Sequence, residues 1–328
     1  MEIRIDAFEL KDFFSTIKTI FKGVEDSRVI FFYLNEGVLN LSVQSGVAYQ
    51  KSIPVASRES TSIACTYQDL SDLLGNSGTA TLTIMPNSVS IETDYFNVSL
   101  LQAHAGFIAY KPIEGTFKVV SRAGILDSVK RIGNTKGLAK IFGKESAILF
   151  TGSRAIIKYP TVWVSIAENS FNSMLTIKEA EILAQFLPEE LRCTDRILEF
   201  RKGNSCLSLI RTPIQDIGDF QLASNAIGTI DTAALLGITD KILSCAGSAD
   251  GILHLYENGE SISVSTPTLS IMMKAGECTT ELLHVQLPLE YIRMFCRIAG
   301  GSNITVRKEG NRLCLSTSNI TMLVSVIA

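Results

Sequence analysis

Ser15 and Lys18 stand three residues apart in Ser15-Thr16-Ile17-Lys18. This is the S-x-x-K spacing in which a lysine amine can activate a serine hydroxyl for acyl transfer. No K-T-G or S-D-N partner follows it, and in 328 residues such a spacing arises by chance. Ser15 also falls on the polar side of an amphipathic helical pattern, which supplies no strained, buried nucleophile. Two carboxylate pairs, Asp69 with Asp72 and Glu179 with Glu181, have the closeness that acid–base chemistry uses, but on helix surfaces they read as solvated faces. The three histidines, His104, His254 and His284, sit in no H-E-x-x-H or Cys/His cluster, and no phosphate-cradling or dinucleotide glycine motif occurs. No catalytic residue, metal site or cofactor is expected.

The basic residues are more suggestive. Lys11, Lys18 and Lys22 share one side of the first helical pattern, at offsets of seven and four. Lys130 and Arg131 lie opposite the apolar stripe of a second pattern, with Lys136 and Lys140 just beyond it. Lys241 stands on a third, and Arg293 and Arg297 share one face of the last. The whole chain carries a net charge of -3, so cations gathered on one structural layer point to a surface that meets phosphates.

The elements that must carry these residues recur. Amphipathic patterns start at 8, 122 and 231, the last with Asp231 as N-cap, and a second set starts at 67, 177 and 289. Thr66 and Thr176 are N-caps of the first two members of that second set, and Pro288 opens the third. A hairpin pattern follows every helix: 29–43, 147–159 and 252–264 after the first set, 81–93, 197–210 and 304–316 after the second. The period of about 110 residues is too long for a solenoid and suits three similar domains, 1–113, 114–222 and 223–328. Strands and helices do not alternate one for one, so the expected class is α+β: antiparallel sheets, each domain with two helices on one face.

Composition allows sizeable cores, with 46% hydrophobic and 19% charged residues. The start, "MEIRIDAFEL", lacks a charged-then-apolar leader, and runs such as "VIFFYL" are too short to span a bilayer. Seven cysteines without a CxxC pair fit a reduced, cytoplasmic chain with buried thiols, and Trp163 in "YPTVWVSI" reads as a packing residue.

Three helix–hairpin–helix–hairpin units resemble the DNA sliding clamps of replication, in particular the bacterial-type polymerase III beta subunit, over essentially the whole chain. The closing "LPLEYIRMFCRIAGGSNITVRKEGNRLCLSTSNITMLVSVIA" is similar to the end of a proliferating cell nuclear antigen domain. "FTGSRAIIKY" (150–159) is similar to the strand–turn of the second clamp domain. The resemblance implies a processivity factor without enzymatic activity, whose helices line a ring around duplex DNA and whose sheets join edge to edge outside. It implies that Lys11, Lys18, Lys22, Lys130, Arg131, Lys241, Arg293 and Arg297 face the DNA without reading sequence. It also implies a pocket for a hydrophobic peptide of polymerase and clamp loader, at Thr151, Arg154, Ala155, Ile156, Met322 and Val324. Helices about 10 Å wide leave a bore of only about 9 Å when six form a circle and about 28 Å when twelve do. Duplex DNA is roughly 20 Å across, so the expected ring is a head-to-tail homodimer. A clamp-fold platform serving transcription or repair, and the Ser15/Lys18 acyl-transfer enzyme, are the alternatives.

Overall fold

The computed structural model describes residues 1–21, 29–76, 78–103, 113–126, 147–151, 154–159, 161–166, 171–212, 214, 226–246, 250–255, 261–266, 269–274, 276–278, 283–309, 312–318 and 320–325. Contacts divide the chain into two compact units: residues 1–122 with 181–212, and residues 123–180 with 213–328.

The first unit opens with β1 (Glu2–Asp6) and α1 (Ala7–Ile20). Asp6 caps the helix by accepting the Phe8 N–H at 2.9 Å. The apolar stripe of the pattern that starts at 8, Leu10, Phe13, Phe14, Ile17, Ile20 and Phe21, is buried throughout. Four strands follow: β2 (Val29–Asn35), β3 (Val38–Ser45), β4 (Val47–Pro54) and β5 (Thr61–Thr66). Glu36 and Gly37 both take positive φ, 48° and 83°, as a two-residue hairpin turn of matching twist requires. Next come β6 (Thr79–Met85), β7 (Ser88–Glu92) and β8 (Asn97–Leu101), then β9 (Lys118–Val119).

The amphipathic pattern at 67 does not become a helix. Residues 71–74 make a turn in which the Leu73 and Leu74 N–H groups both reach the Leu70 carbonyl at 3.1 Å. Asp69 competes for the backbone by accepting from the Ser71 N–H (3.0 Å) and hydroxyl (2.6 Å), and Gly75 stands where a further turn would begin. Leu70 and Leu74 are buried nonetheless, so one turn suffices for the apolar anchors.

In the second unit β10 (Ala147–Thr151), β11 (Arg154–Tyr159), β12 (Thr161–Ile166) and β13 (Ser173–Thr176) precede α2 (Ile177–Phe186), through which the unit boundary passes. Thr176 and Glu179 form a reciprocal capping box: the Glu179 N–H donates to Thr176 Oγ1 (3.1 Å) and the Thr176 N–H to Glu179 Oε2 (2.7 Å). Glu179 is thus a cap rather than half of a carboxylate pair. The helix stops at Phe186, with Leu187 at φ 54°. The chain returns to the first unit as β14 (Glu190–Cys193), β15 (Ile197–Lys202) and β16 (Ser205–Ile210). The remainder is β17 (Ala226–Ile230), α3 (Thr232–Ala246), β18 (Asp250–Leu255), β19 (Ser261–Ser265), β20 (Ser270–Lys274), β21 (Gly276–Cys278), β22 (Leu283–Pro288), α4 (Leu289–Ala299), β23 (Ile304–Glu309), β24 (Arg312–Ser316) and β25 (Ile320–Ser325). Asp231 caps α3 through the Ala234 N–H at 2.7 Å. Pro288 closes β22, and α4 begins one residue later.

Every described strand pairing is antiparallel, and all six expected hairpins form. The sheet orders show a finer repeat than the sequence pattern. They are β1-β6-β7-β8 and β5-β2-β3-β4-β16-β15-β14-β9 in the first unit, and β13-β10-β11-β12-β25-β24-β23-β17-β21 and β20-β19-β18-β22 in the second. In the first 101 residues each three-strand meander takes its fourth strand from the other half: β1 joins β6-β7-β8, and β5 joins β2-β3-β4. The same exchange recurs as β9 with β14-β15-β16, β13 with β10-β11-β12, β17 with β23-β24-β25, and β22 with β18-β19-β20. The hairpin at 197–210 is therefore the second and third strand of its meander, and β14 is the strand that the sequence pattern hid at the end of α2.

Two of these four-strand sets join along an edge in each unit. In the first, Ser205 stands opposite Lys51, Leu207 opposite Tyr49 and Ser208 opposite Ala48. In the second, Trp163 stands opposite Met322 and Ser165 opposite Ile320. Aromatic packing fixes the first seam. Tyr49 on β4 stacks on Phe13 at 5.7 Å and meets the Phe186 ring edge-on at 6.2 Å. Its buried hydroxyl lies 3.2 Å from Ser205 Oγ across the seam, and burial pushes its pKa up to about 12. Lys51, 3% exposed in its side chain, reaches from the same strand to Glu9 (2.7 Å) and Asp12 (2.5 Å) on α1.

Candidate nucleic-acid interface

The cations expected to meet DNA lie on helix surfaces, and most of those described have partners. Lys18 on α1 sits 3.0 Å from both Asp69 and Asp72 of the adjoining turn, and 3.4 Å from Ser71 Oγ. Its hydrogen bonds to Asp69, then to Asp72, hold its ammonium pKa above the usual lysine value. Burial would raise the Asp69 pKa, but hydrogen bonds from the Ser71 side chain and backbone and from Lys18 outweigh it and bring the carboxyl below its usual range. An ammonium held in this way is no base for Ser15, so the S-x-x-K spacing finds no support in geometry. Lys11 donates to Asn76 Oδ1 at 2.8 Å.

In the second unit α3 and α4 pack side by side. Arg293 and Arg297, one turn apart on α4, flank Asp240 of α3. The distances to Asp240 Oδ1 are 2.8 Å from Arg293 Nε and 3.6 Å from Arg297 Nη2. The closer contact is near in distance but not aligned as a hydrogen bond. Glu290 adds a contact to Arg293 at 3.5 Å. Lys241 is exposed on α3. Lys22, Lys130 and Arg131 lie outside the described residues, as do Lys136 and Lys140. Among the described residues no three His, Cys, Asp or Glu side chains gather around a common point that could hold a metal ion.

The expected peptide-pocket residues divide between the two faces of one sheet. Thr151 and Arg154 stand opposite each other at the β10–β11 turn, with Arg154 exposed and the Thr151 hydroxyl 3.2 Å from the Arg154 carbonyl. Strand alternation puts Ile156 on the face of Arg154 and Ala155 on the other. Ala155 is 2% and Met322 0% exposed, in the core, while Ile156 is 4% exposed. Register carries the row of Ile156 through Val164 to Thr321 on β25, which extends the Thr151–Arg154–Ile156 face by a residue the sequence did not single out. Val324 lies on β25 opposite Leu313, and its side chain is outside what is described.

Asp240 is the partner of the helix cations that sequence reasoning missed. Its spacing from Lys241 says nothing, because its partners come from a helix some fifty residues away. Asp69 and Asp72 were visible as an acidic pair, but their use as partners of Lys18 needed the packed turn.

No family model and no curated protein matches the sequence. Solved structures match over 100% of this chain and 100% of theirs. The DNA polymerase III subunit beta from Pseudomonas aeruginosa does so at 10% identity and TM-score 0.78. The DNA polymerase sliding clamp from Caulobacter crescentus does so at 10% identity and TM-score 0.79. The Helicobacter pylori beta clamp bound to a DNA ligase peptide is 12% identical, with TM-score 0.71. Among the described residues no helix is long and apolar enough to cross a membrane. Full-length agreement, together with six four-strand sets built by one exchange and two joins made by one rule, gives this chain the fold of the bacterial DNA polymerase sliding clamps.

Proposed function

We propose that two copies of this chain close head to tail into a ring around duplex DNA and serve as a polymerase processivity factor without catalysis or cofactor. One observation carries the proposal. The edge joins are β4 to β16 and β12 to β25, in each case the last strand of one set's meander against that of another. The same rule leaves one pair over: β8 and β20, which no further strand of their sheets covers on the outer side among the described residues, save a single bridge from Gln102, just past β8, to Cys65. An unpaired edge is a standing site for strand addition. Leu101 of β8 is 68% exposed, which suits an edge that a second copy covers. Joining β8 of each copy to β20 of the other uses both edges and closes the assembly with two-fold symmetry.

Three repeats per chain, bounded at 113 and 222, then supply the helix layer, with Lys11, Lys18, Lys22, Lys130, Arg131, Lys241, Arg293 and Arg297 turned to the phosphates. Contact without base reading permits sliding. The ligase peptide on the Helicobacter pylori clamp supports a partner-peptide site here. Thr151 and Arg154 are its accessible members, with Ile156 buried beneath the same face, and polymerase and loader are the partners it would take. Primer extension tests the function: with a polymerase that binds the chain, product length per binding event rises by about tenfold or more. Unchanged product length with a bound polymerase would instead favour a scaffold of the same fold.

A further inference from the structure

Three cations assigned to DNA, Lys18, Arg293 and Arg297, are each engaged by a carboxylate of their own unit. Exposed pairs of this kind are weak and screened by salt. Arg297 is 55% exposed at 3.6 Å from Asp240, and the Arg293–Asp240 contact is close but misaligned. At Arg297 a phosphate oxygen can take the place of the carboxylate; Arg293 Nε and Asp240 Oδ1 are themselves buried, so Arg293 would meet a phosphate through its terminal nitrogens.

We propose that Asp240, and Asp69 with Asp72, act as carboxylate latches that hold these cations until a phosphate displaces them, which keeps the grip on duplex DNA loose. The proposal rests on the clamp function above and assigns a tuning role to residues outside the DNA-facing set. Each step of sliding then exchanges one anion for another around a fixed cation, so little charge is left uncompensated between contacts. Without the latch the arginines would bind phosphate at full strength and drag on the duplex. Asp240 serves two arginines, so it is the more consequential latch.

Affinity for a short fluorescent duplex of arbitrary sequence, followed by anisotropy across a salt series, tests this. Asp240→Asn is expected to tighten binding about tenfold at low salt. It should also steepen the dependence of log K on log salt by about 0.9 for each arginine freed to meet a phosphate. Asp240→Glu should behave like the native chain. Arg293→Ala with Arg297→Ala is the control for the DNA-facing surface itself. If that pair weakens binding while Asp240→Asn changes nothing, the latch is overturned and the surface stands. If neither changes binding, the surface fails and the latch with it. Should Asp240→Asn fail to fold by circular dichroism, Asp69→Asn with Asp72→Asn carries the same test on Lys18, with Lys18→Ala as its control.

Discussion

Glu199→Ala is expected to lower the unfolding free energy by about 3–5 kcal/mol, which a denaturant midpoint measures directly. Glu199 is fully buried on β15. One of its oxygens accepts from Arg192 Nε at 2.6 Å and also meets Arg192 Nη2. The other receives the Ile113 N–H at 3.5 Å, so it fastens the segment that leads into β9. The Arg192 guanidinium lies 4.3 Å over the Phe117 ring, and Arg201 lies 4.1 Å over that ring as well. Phe117 is thus bracketed by two cations, each with its own carboxylate: Glu199 for Arg192 and Glu190 for Arg201. Removing Glu199 leaves a mostly buried guanidinium uncompensated, and that penalty dominates. Replacing both members, Glu199→Met with Arg192→Met, removes the penalty and should restore most of the stability. A loss below about 1 kcal/mol for the single variant would show that the pair does not fasten the segment.

Ser99→Pro is expected to convert a dimer into a folded monomer. The Gln102 N–H donates to the Asn87 carbonyl at 2.8 Å and the Thr93 N–H to Phe96 at 2.9 Å. The alternation of an antiparallel ladder then turns the N–H groups of Asn97, Ser99 and Leu101 away from β7, toward the open edge. Proline at 99 therefore removes no bond within the sheet, and an edge strand tolerates it. Against a second copy it removes a donor and crowds the approach, at roughly 2 kcal/mol per joint. With two joints in the ring the dissociation constant rises about a thousandfold. Sedimentation should give twice the 35.8 kDa chain mass for the native protein and for Ser99→Ala, and the single-chain mass for Ser99→Pro. A Ser99→Pro protein that remains a full dimer would move the joint away from β8.

Much of this architecture was legible in the sequence because its signals are local. The six hairpins announce themselves by alternation around short turns, and α1 and α3 by an apolar stripe behind Asp6 and Asp231, although only Asp231 was singled out as a cap. The 67–74 segment misled because Leu70 and Leu74 have helical spacing, while Asp69 captures Ser71 and leaves a single turn in place of a helix. β14 was hidden because it follows α2 within four residues. The joins of β4 to β16 and β12 to β25 connect strands more than a hundred residues apart, and no local pattern encodes such a partner. The same holds for charge. The helix bases were readable as a set, whereas their pairing with Asp69, Asp72 and Asp240 depends on which elements pack together. For the peptide site, alternation sets Ala155 on the opposite face from Thr151, Arg154 and Ile156, but only the packed sheet shows that Ala155 and Ile156 are both covered.

Retention on linear duplex whose two ends are blocked after binding tests encirclement most directly. The native chain, threaded at low salt and then moved to high salt, should stay on end-blocked DNA, slide off open-ended DNA, and leave at once when the blocked duplex is cut. Equal loss from blocked and open duplex in high salt would mean that the chain binds DNA only by charge and does not surround it.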